Sequence, residues 1–258
     1  MNGTDQDITE KFLLKKEAEQ SKHLALLGEL AAGVGHQINN PITGIINCAQ
    51  ILLNKSNEGS KEKGLAQRII KDGDRIARIV HNLLFFTSPG YKDVRSIISI
   101  HEILSDTLTL AEIQMRKECI KIKLHIPKSL PKILVHSQLI QEVFLSIISN
   151  ARYALNQKYP EAHDDKILEI LGEEIKIDGI PYIKLTFYDH GIGIPANIKD
   201  KVTNPFFTTK PSGIGTGLGL SLSYTIISEH GGKLLIDSVE GQFTKVSVVL
   251  PIKPCESG

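Results

Sequence analysis

With 258 residues, 41% of them apolar, the chain is long enough for one large or two ordinary domains with packed cores. Its 30 basic and 29 acidic residues nearly cancel, so bulk charge gives no reason for a polyanion, and nucleic acid is not expected as a partner. Cys48, Cys119 and Cys255 are odd in number and widely spaced, which fits neither a disulfide framework nor a zinc cluster and points to a reducing cytosol. No window approaches the roughly 18 to 20 uninterrupted apolar residues of a membrane span, and the first five residues lack the basic and apolar regions of a signal peptide.

In chain order, Ile8 to Leu53 reads as one long helix, in which Leu24, Leu27, Ala31, Val34, Ile38, Ile45 and Leu52 recur at three, four or seven, the stripe of a helix buried against partner helices. His36 lies two residues from both Val34 and Ile38, which at about 100° per residue turns it away from that stripe. Asn40, Thr43 and Asn47 extend the same outward line. Pro41 is expected to bend the helix one turn past His36. After the polar segment Asn54 to Ser60, a second helix from Gly64 to about Phe86 carries Leu65, Ile69, Ile76, Ile79, Leu83 and Phe86. The two form an antiparallel hairpin. Alone it cannot hide both stripes, so pairing with a second copy into a four-helix bundle is expected.

Thr87 to Gly90 is a breaker cluster, after which helices and strands mix. Strands are expected near Ser96 to Ile100, Lys121 to Ile126, Ile167 to Gly172, Ile183 to Tyr188, Lys233 to Ser238 and Thr244 to Leu250. Helices are expected near Glu102 to Lys117, Ser137 to Gln157 and Leu218 to His230. This order argues for an α+β, two-layer sandwich domain rather than a parallel doubly wound sheet.

Three stretches of that second domain carry chemistry. Asp189-His190-Gly191-Ile192-Gly193 follows a strand, placing a carboxylate at its end and two glycines where the backbone must turn tightly or approach a ligand. Gly213-Ile214-Gly215-Thr216-Gly217-Leu218-Gly219 runs into an apolar helix, whose first amides and dipole suit phosphate. Neither fits the P-loop pattern or a Rossmann fingerprint. Asn150, in a helix that is apolar on most faces, must find a partner or face a cavity, and its amide oxygen with nucleotide phosphates and water would suit Mg²⁺.

Together and in order, these segments resemble the sensor histidine kinases of two-component systems over nearly the whole chain. His36-Gln37-Ile38-Asn39-Asn40-Pro41 is similar to their phosphoacceptor box and Ser149-Asn150-Ala151 to their asparagine box. Asp189 to Gly193 matches the first glycine box, Asn204-Pro205-Phe206-Phe207-Thr208-Thr209-Lys210 the phenylalanine box, and Gly215-Thr216-Gly217-Leu218-Gly219-Leu220 the second glycine box. The resemblance implies the end of a signalling coiled coil over residues 1–20. It implies a dimerisation and histidine-phosphotransfer hairpin over 21–88 and an Hsp90-like ATP-binding domain over 92–253. It further implies that Asp189 bonds the adenine amino group, that Asn150 ligates Mg²⁺, and that the amides of Gly215 to Gly219, Thr216 and Leu218 included, contact phosphate beneath a lid made by residues 195–213. His36 would take the γ-phosphoryl group of ATP and pass it to an aspartate on a response regulator receiver domain, with Asn40 at the position thought to orient water when the regulator is dephosphorylated. The implied assembly is a homodimer, cytoplasmic or the cytosolic part of a longer, membrane-attached sensor.

The chain departs from the family pattern at two places. Position 37, where the family carries Glu or Asp as the base for the imidazole proton, is Gln37, and an amide takes no proton at neutral pH; a general base is typically worth about 10² to 10⁴ in rate. A slow kinase, a protein biased towards phosphatase or scaffold work, and an engineered Glu→Gln substitution all remain open. Ser146 stands where many relatives have an earlier asparagine, four residues before Asn150. Arg152 is read as a phosphate contact or a solvated arginine, Phe206 and Phe207 as lid anchors or core, and Lys210 as a phosphate contact or a solvated charge.

Overall fold

A computed structural model describes residue 38 and residues 40–85, 95–211 and 215–252. The chain divides into two units, Met1–Lys92 and Asp93–Gly258. His36, Gln37, the segment 1–20, Gly213 and Cys255 lie outside the described residues, as do residues 21–37 and 39, the stretch of helix that Pro41 is expected to bend.

In the first unit, helix α1 (residues 40–55) and helix α2 (Lys61–Phe85) are joined by five residues. The joint is built from local bonds: the Ser56 hydroxyl donates to the Leu52 carbonyl at 2.7 Å, Gly59 takes φ +78°, and the Ser60 hydroxyl accepts from the Lys63 amide at 3.2 Å as an N-cap. Ile42 and Ala49 of α1 and Ala66, Gly73 and Val80 of α2 are buried. A β-carbon on Gly73 would lie 2.6 Å from Cγ1 of Ile46, so the backbone of α2 comes very close to the α1 side chains there. The sequence expectation that one hairpin cannot hide its large apolar stripes agrees with this, and the contact within the hairpin rests instead on smaller residues that the sequence reading did not single out. Ile45, Leu52, Leu65, Ile69 and Ile76 are 40 to 62% exposed in the single hairpin. Small residues at steps of seven let two helices approach closely, and the bulky stripes are left facing outward. The polar line of Asn40, Thr43 and Asn47 is exposed as expected.

The second unit is α+β. Strand β1 (Ser96–Ile98) pairs antiparallel with β3 (Ile133–Val135), a short strand that the sequence reading did not include. A five-stranded sheet runs in the order β2-β4-β5-β7-β6, with β2 (Lys121–His125), β4 (Ile167–Ile177), β5 (Ile180–Asp189), β6 (Lys233–Val239) and β7 (Phe243–Pro251). Only the β2–β4 pair is parallel. Strands β4 and β5 extend beyond their expected ends because Asp178 and Gly179, at φ +51° and +81°, close a two-residue hairpin of the type whose twist matches that of its strands.

Helix α3 (Ile100–Lys117) packs on α4 (Ser137–Lys158), and α4 and α5 (Gly219–Glu229) pack on one face of the sheet. Ile140, Phe144, Ile147 and Leu155 of α4 meet Leu168, Ile170, Ile183, Leu185 and Phe187 of the sheet, all at 1% exposure or less; the rings of Phe144 and Phe187 lie 5.3 Å apart. Alternation along β5 buries Ile183, Leu185, Phe187 and then Asp189, so the last position of an otherwise apolar row is a carboxylate.

Candidate functional site

The helical repeat and the strand alternation converge on one cavity. Ile147, Asn150, Ala151 and Ala154, three and four apart on α4, face it from one side, and Phe187, Asp189, Thr244 and Val246 line it from the sheet. Ile192 to Pro195, Ile198 of the 3₁₀ turn Ala196–Lys201, Val202, the segment Phe207 to Lys210, and Leu220 complete the wall around about 150 Å³ of space. The wall is mainly apolar with a few convergent polar groups, the usual make-up of a small-molecule site.

Asp189 is 4% exposed, and its Oδ1 accepts from the Gly191 amide at 2.9 Å. Burial pushes its carboxyl up to about 7, against the opposing pull of that amide and of the Lys158 charge. Such a carboxyl is short of donors and suits a ligand that brings one, as the exocyclic amine of a purine does. A β-carbon on Gly191 would stand 2.6 Å from Oδ1 of Asp189. Gly193 has φ +68°, and a β-carbon there would lie 2.1 Å from the Val239 carbonyl oxygen, so only glycine passes this point.

On α4, the Asn150 side chain accepts a bond from the Lys210 ammonium at 2.7 Å, and that ammonium stands 4.7 Å from the centre of the Tyr153 ring. Burial, with the nearby Arg152 charge adding to it, holds the Lys210 ammonium below its ordinary value. The Lys210 amide donates to Thr208 Oγ1 at 3.1 Å. Phe207 is half-buried and lines the cavity, whereas Phe206 is exposed with φ +64°. Gly217, at φ +69°, passes so near the Phe206 backbone that a β-carbon would stand 2.3 Å from its carbonyl carbon. Gly215 stands in the same way against Thr208 Oγ1 at 2.4 Å, so the two ends of the segment 206–217 close on each other.

Helix α5 begins at Gly219 with no side-chain cap and no carboxylate in its first turn. The Leu218 amide donates to Thr216 Oγ1 at 3.3 Å, and the Leu218 side chain is buried in the core. First-turn amides with neither cap nor acidic neighbour form an anion seat. Ser146 packs against this turn: a β-carbon on Gly219 would be 2.7 Å from its hydroxyl oxygen.

Arg152 is two residues, and so about 200°, from Asn150 and is absent from the cavity wall. Its guanidinium pairs with Glu118 Oε1 at 3.0 Å, and Asn156 donates to Oε2 of the same carboxylate at 2.5 Å. Burial alone would raise the Glu118 carboxyl, but bonds from Gln114 and Asn156 and the charges of Arg152 and Lys166 together hold it low. Sequence reasoning missed this brace, which joins the end of α3 to α4, and it missed Tyr153. Helical spacing three from Asn150 could have placed the tyrosine beside the amide.

No cluster of three or more His, Cys, Asp or Glu side chains suited to a metal occurs among the described residues. A cation seat is nonetheless present in the Asn150 amide oxygen, which already carries a positive group. A hard divalent ion brought by phosphate oxygens and water fits that donor.

Residues 26–91 match the family model of the His Kinase A (phospho-acceptor) domain, and residues 135–254 that of the histidine kinase-, DNA gyrase B- and HSP90-like ATPase. The signal transduction histidine-protein kinase AtoS of Escherichia coli (strain K12) is 30% identical over 255 residues, covering 96% of this chain and 38% of AtoS. Sporulation kinase E of Bacillus subtilis (strain 168) is 29% identical, covering 96% of this chain and 31% of its own length. Full-length ShkA in complex with AMPPNP shares the fold at a TM-score of 0.69 and 19% identity, over 87% of this chain and 46% of that one. Histidine kinase ThkA in complex with the response regulator protein TrrA does so at 0.61 and 24% identity, over 96% and 68%. The chain spans 38 to 50% of the length of the first curated relatives it matches. With a phosphoacceptor-type domain followed by an ATPase domain of this type, the chain belongs to the sensor histidine kinases of two-component systems, as their catalytic core.

Proposed function

We propose that the chain is an ATP-dependent protein-histidine kinase. It binds ATP in the cavity of the second unit, transfers the γ-phosphoryl group to His36, and passes it to an aspartate of a response regulator. The observation that carries this reading is the meeting, in one apolar cavity, of a buried carboxyl at Asp189 and a cation-bearing amide oxygen at Asn150. Asp189 accepts from the purine amine and sets the depth of the base. The amides of Gly215 to Gly219 hold the phosphate oxygens, with the α5 dipole behind them. Asn150 would hold Mg²⁺, which when bound neutralises charge on the phosphates. A neutral His36 imidazole nitrogen attacks the γ-phosphorus in line as the bond to the β-phosphate oxygen breaks, and the imidazole proton leaves to solvent or to a base.

Residues 1–20 are read as the end of a coiled coil, 21–88 as the phosphoacceptor and dimerisation hairpin, and 92–253 as the ATP-binding domain. The homodimer is supported by the outward-facing stripes of the hairpin, and the regulator partner by the complex of ThkA with TrrA. No helix among the described residues is long and apolar enough to cross a membrane. The proposed use of ATP and of a response regulator puts the chain's work in the cytoplasm, on its own or as part of a membrane-attached sensor.

Incubation with labelled ATP and Mg²⁺ tests the proposal: acid-labile, base-stable label on His36 is expected, and its complete absence in a chain that still binds ATP would favour the second reading. That reading, a kinase-impaired phosphatase or scaffold, rests on Gln37. Gln37→Glu is expected to raise the autophosphorylation rate by about 10² or more if the missing base limits the reaction, and an unchanged rate clears Gln37 of that role.

A further inference from the structure

Lys210 sits where the proposed reading needs a metal ion. Its ammonium donates to Oδ1 of Asn150 at 2.7 Å and faces the Tyr153 ring at 4.7 Å, so an amide oxygen and an aromatic face together cradle a positive charge. The main chain fixes the approach, since the Lys210 amide is bound to Thr208 Oγ1 and Gly215 closes against that same hydroxyl. Arg152 does not share the role, because Glu118 holds its guanidinium at 3.0 Å on the α3 side of the helix. Two cations within a few ångströms repel strongly at the reduced dielectric of a half-buried site, so an ammonium and a divalent ion exclude each other at one amide oxygen.

We propose that Lys210 is a resident cation of the metal seat. In the nucleotide-free protein its ammonium occupies the Asn150 oxygen. Lys210 gives that oxygen up when a divalent ion arrives with nucleotide, and its ammonium turns to the phosphate oxygens. Without a divalent ion, Lys210 remains beside Asn150 and offsets the phosphate charge itself. Nucleotide binding therefore depends only weakly on metal, and Lys210 sets that dependence. The inference rests on the reading of the cavity as an ATP site.

The test is calorimetric titration of the full chain with ADP, in excess Mg²⁺ and in EDTA, giving the factor by which Mg²⁺ tightens binding. In the wild type this factor is expected to be below about tenfold; in Lys210→Met it rises at least about tenfold further, because metal-free ADP loses its counter-charge at the seat, whereas Mg²⁺-ADP loses one phosphate contact and gains a metal seat with no competing ammonium. Lys210→Arg, which keeps a cation, brings the factor back towards the wild-type value. If Lys210→Met leaves the factor unchanged, even with both affinities lowered, Lys210 is only a phosphate contact and the inference falls. A wild-type chain that binds ADP under neither condition overturns the ATP-site reading itself, a different result. Thermal melts confirm that the variants fold; should Lys210→Met not fold, Lys210→Gln is judged by the same factor.

Discussion

A carboxyl that ends an apolar strand row holds its proton until a ligand gives it a reason to release it. The Asp189 pKa, raised from 3.8 to about 7, means that the folded chain binds a proton which the unfolded chain has already lost. The stability this contributes is complete below about pH 4 and disappears as pH rises through 7. A purine amine donates to the charged form, so ADP affinity is expected to rise between pH 6 and 8, with proton release visible as a buffer-dependent heat in calorimetry. Asp189→Asn should flatten that pH dependence and weaken binding by roughly 10- to 150-fold, the equivalent of about 1.5 to 3 kcal/mol for a hydrogen bond to a charged group. An equally steep pH dependence in the variant would place the titrating group elsewhere. Asp189 was legible as a chemical residue from its place before two glycines, and its burial follows from the alternation Ile183, Leu185, Phe187, Asp189. Arg152 was not legible, because a charge on a helix can turn to either neighbour and only the position of Glu118 decides which.

Helices α4 and α5, which carry Asn150 and the phosphate seat, are tied at their other ends by one imidazole. His230, at the C-terminal end of α5, accepts at Nε2 from the backbone amide of His136, the residue that precedes α4, at 3.1 Å, and its Nδ1 lies 2.7 Å from the Ile226 carbonyl oxygen. The two contacts together require the neutral ring with its proton on Nδ1. The His136 ring stands edge-on at 5.6 Å, and Arg95 reaches the Glu229 carbonyl oxygen next door. Burial lowers the His230 pKa below 6.5 against the opposing pull of the Ile226 carbonyl, with the charges of Arg95 and His136 adding to the effect of burial. The folded state therefore takes up a proton less readily than the unfolded one, and the stability is present above about pH 6.5 and lost as pH falls through the folded value. Asp189 pulls the opposite way in part of this window, so the readout is a comparison: the wild-type Tm should fall more steeply from pH 7 to 5 than that of His230→Asn. Equal slopes would mean that His230 is not the group that responds. The clamp could not be read from the sequence, since the residues it joins are 94 apart. The boundaries of α3, α4 and α5 could be read to within about two residues, because their periods and breakers are local. Strand β3 escaped because three residues make no period of their own, and its pairing with β1 is a long-range contact.

The first unit presents Ile45, Leu52, Leu65, Ile69 and Ile76 to solvent, too many large apolar side chains for a lone hairpin. Burying each is worth roughly 1.5 to 3 kcal/mol, and in a two-fold pair every side chain counts twice. Ile69→Lys is expected to shift the chain from dimer to monomer in sedimentation at micromolar concentration, while the melting of the second unit stays close to wild type. A variant that remains dimeric would place the subunit contact outside these stripes.

The sequence alone determined the order of the helices and of the strands other than β3, the α+β class and the positions of the glycine-bearing segments, because hydrophobic period, turn residues and backbone freedom are properties of neighbouring residues. It also showed that the hairpin carries more apolar surface than one copy can hide. Only the tertiary structure decided which of the two apolar faces closes within the hairpin, since Gly73 admits Ile46 where bulkier side chains would not. It alone turned Arg152 to Glu118 and brought Lys210 to Asn150, 60 residues away in the chain. A side chain's partner in space is set by how the elements pack, and no local pattern carries that information.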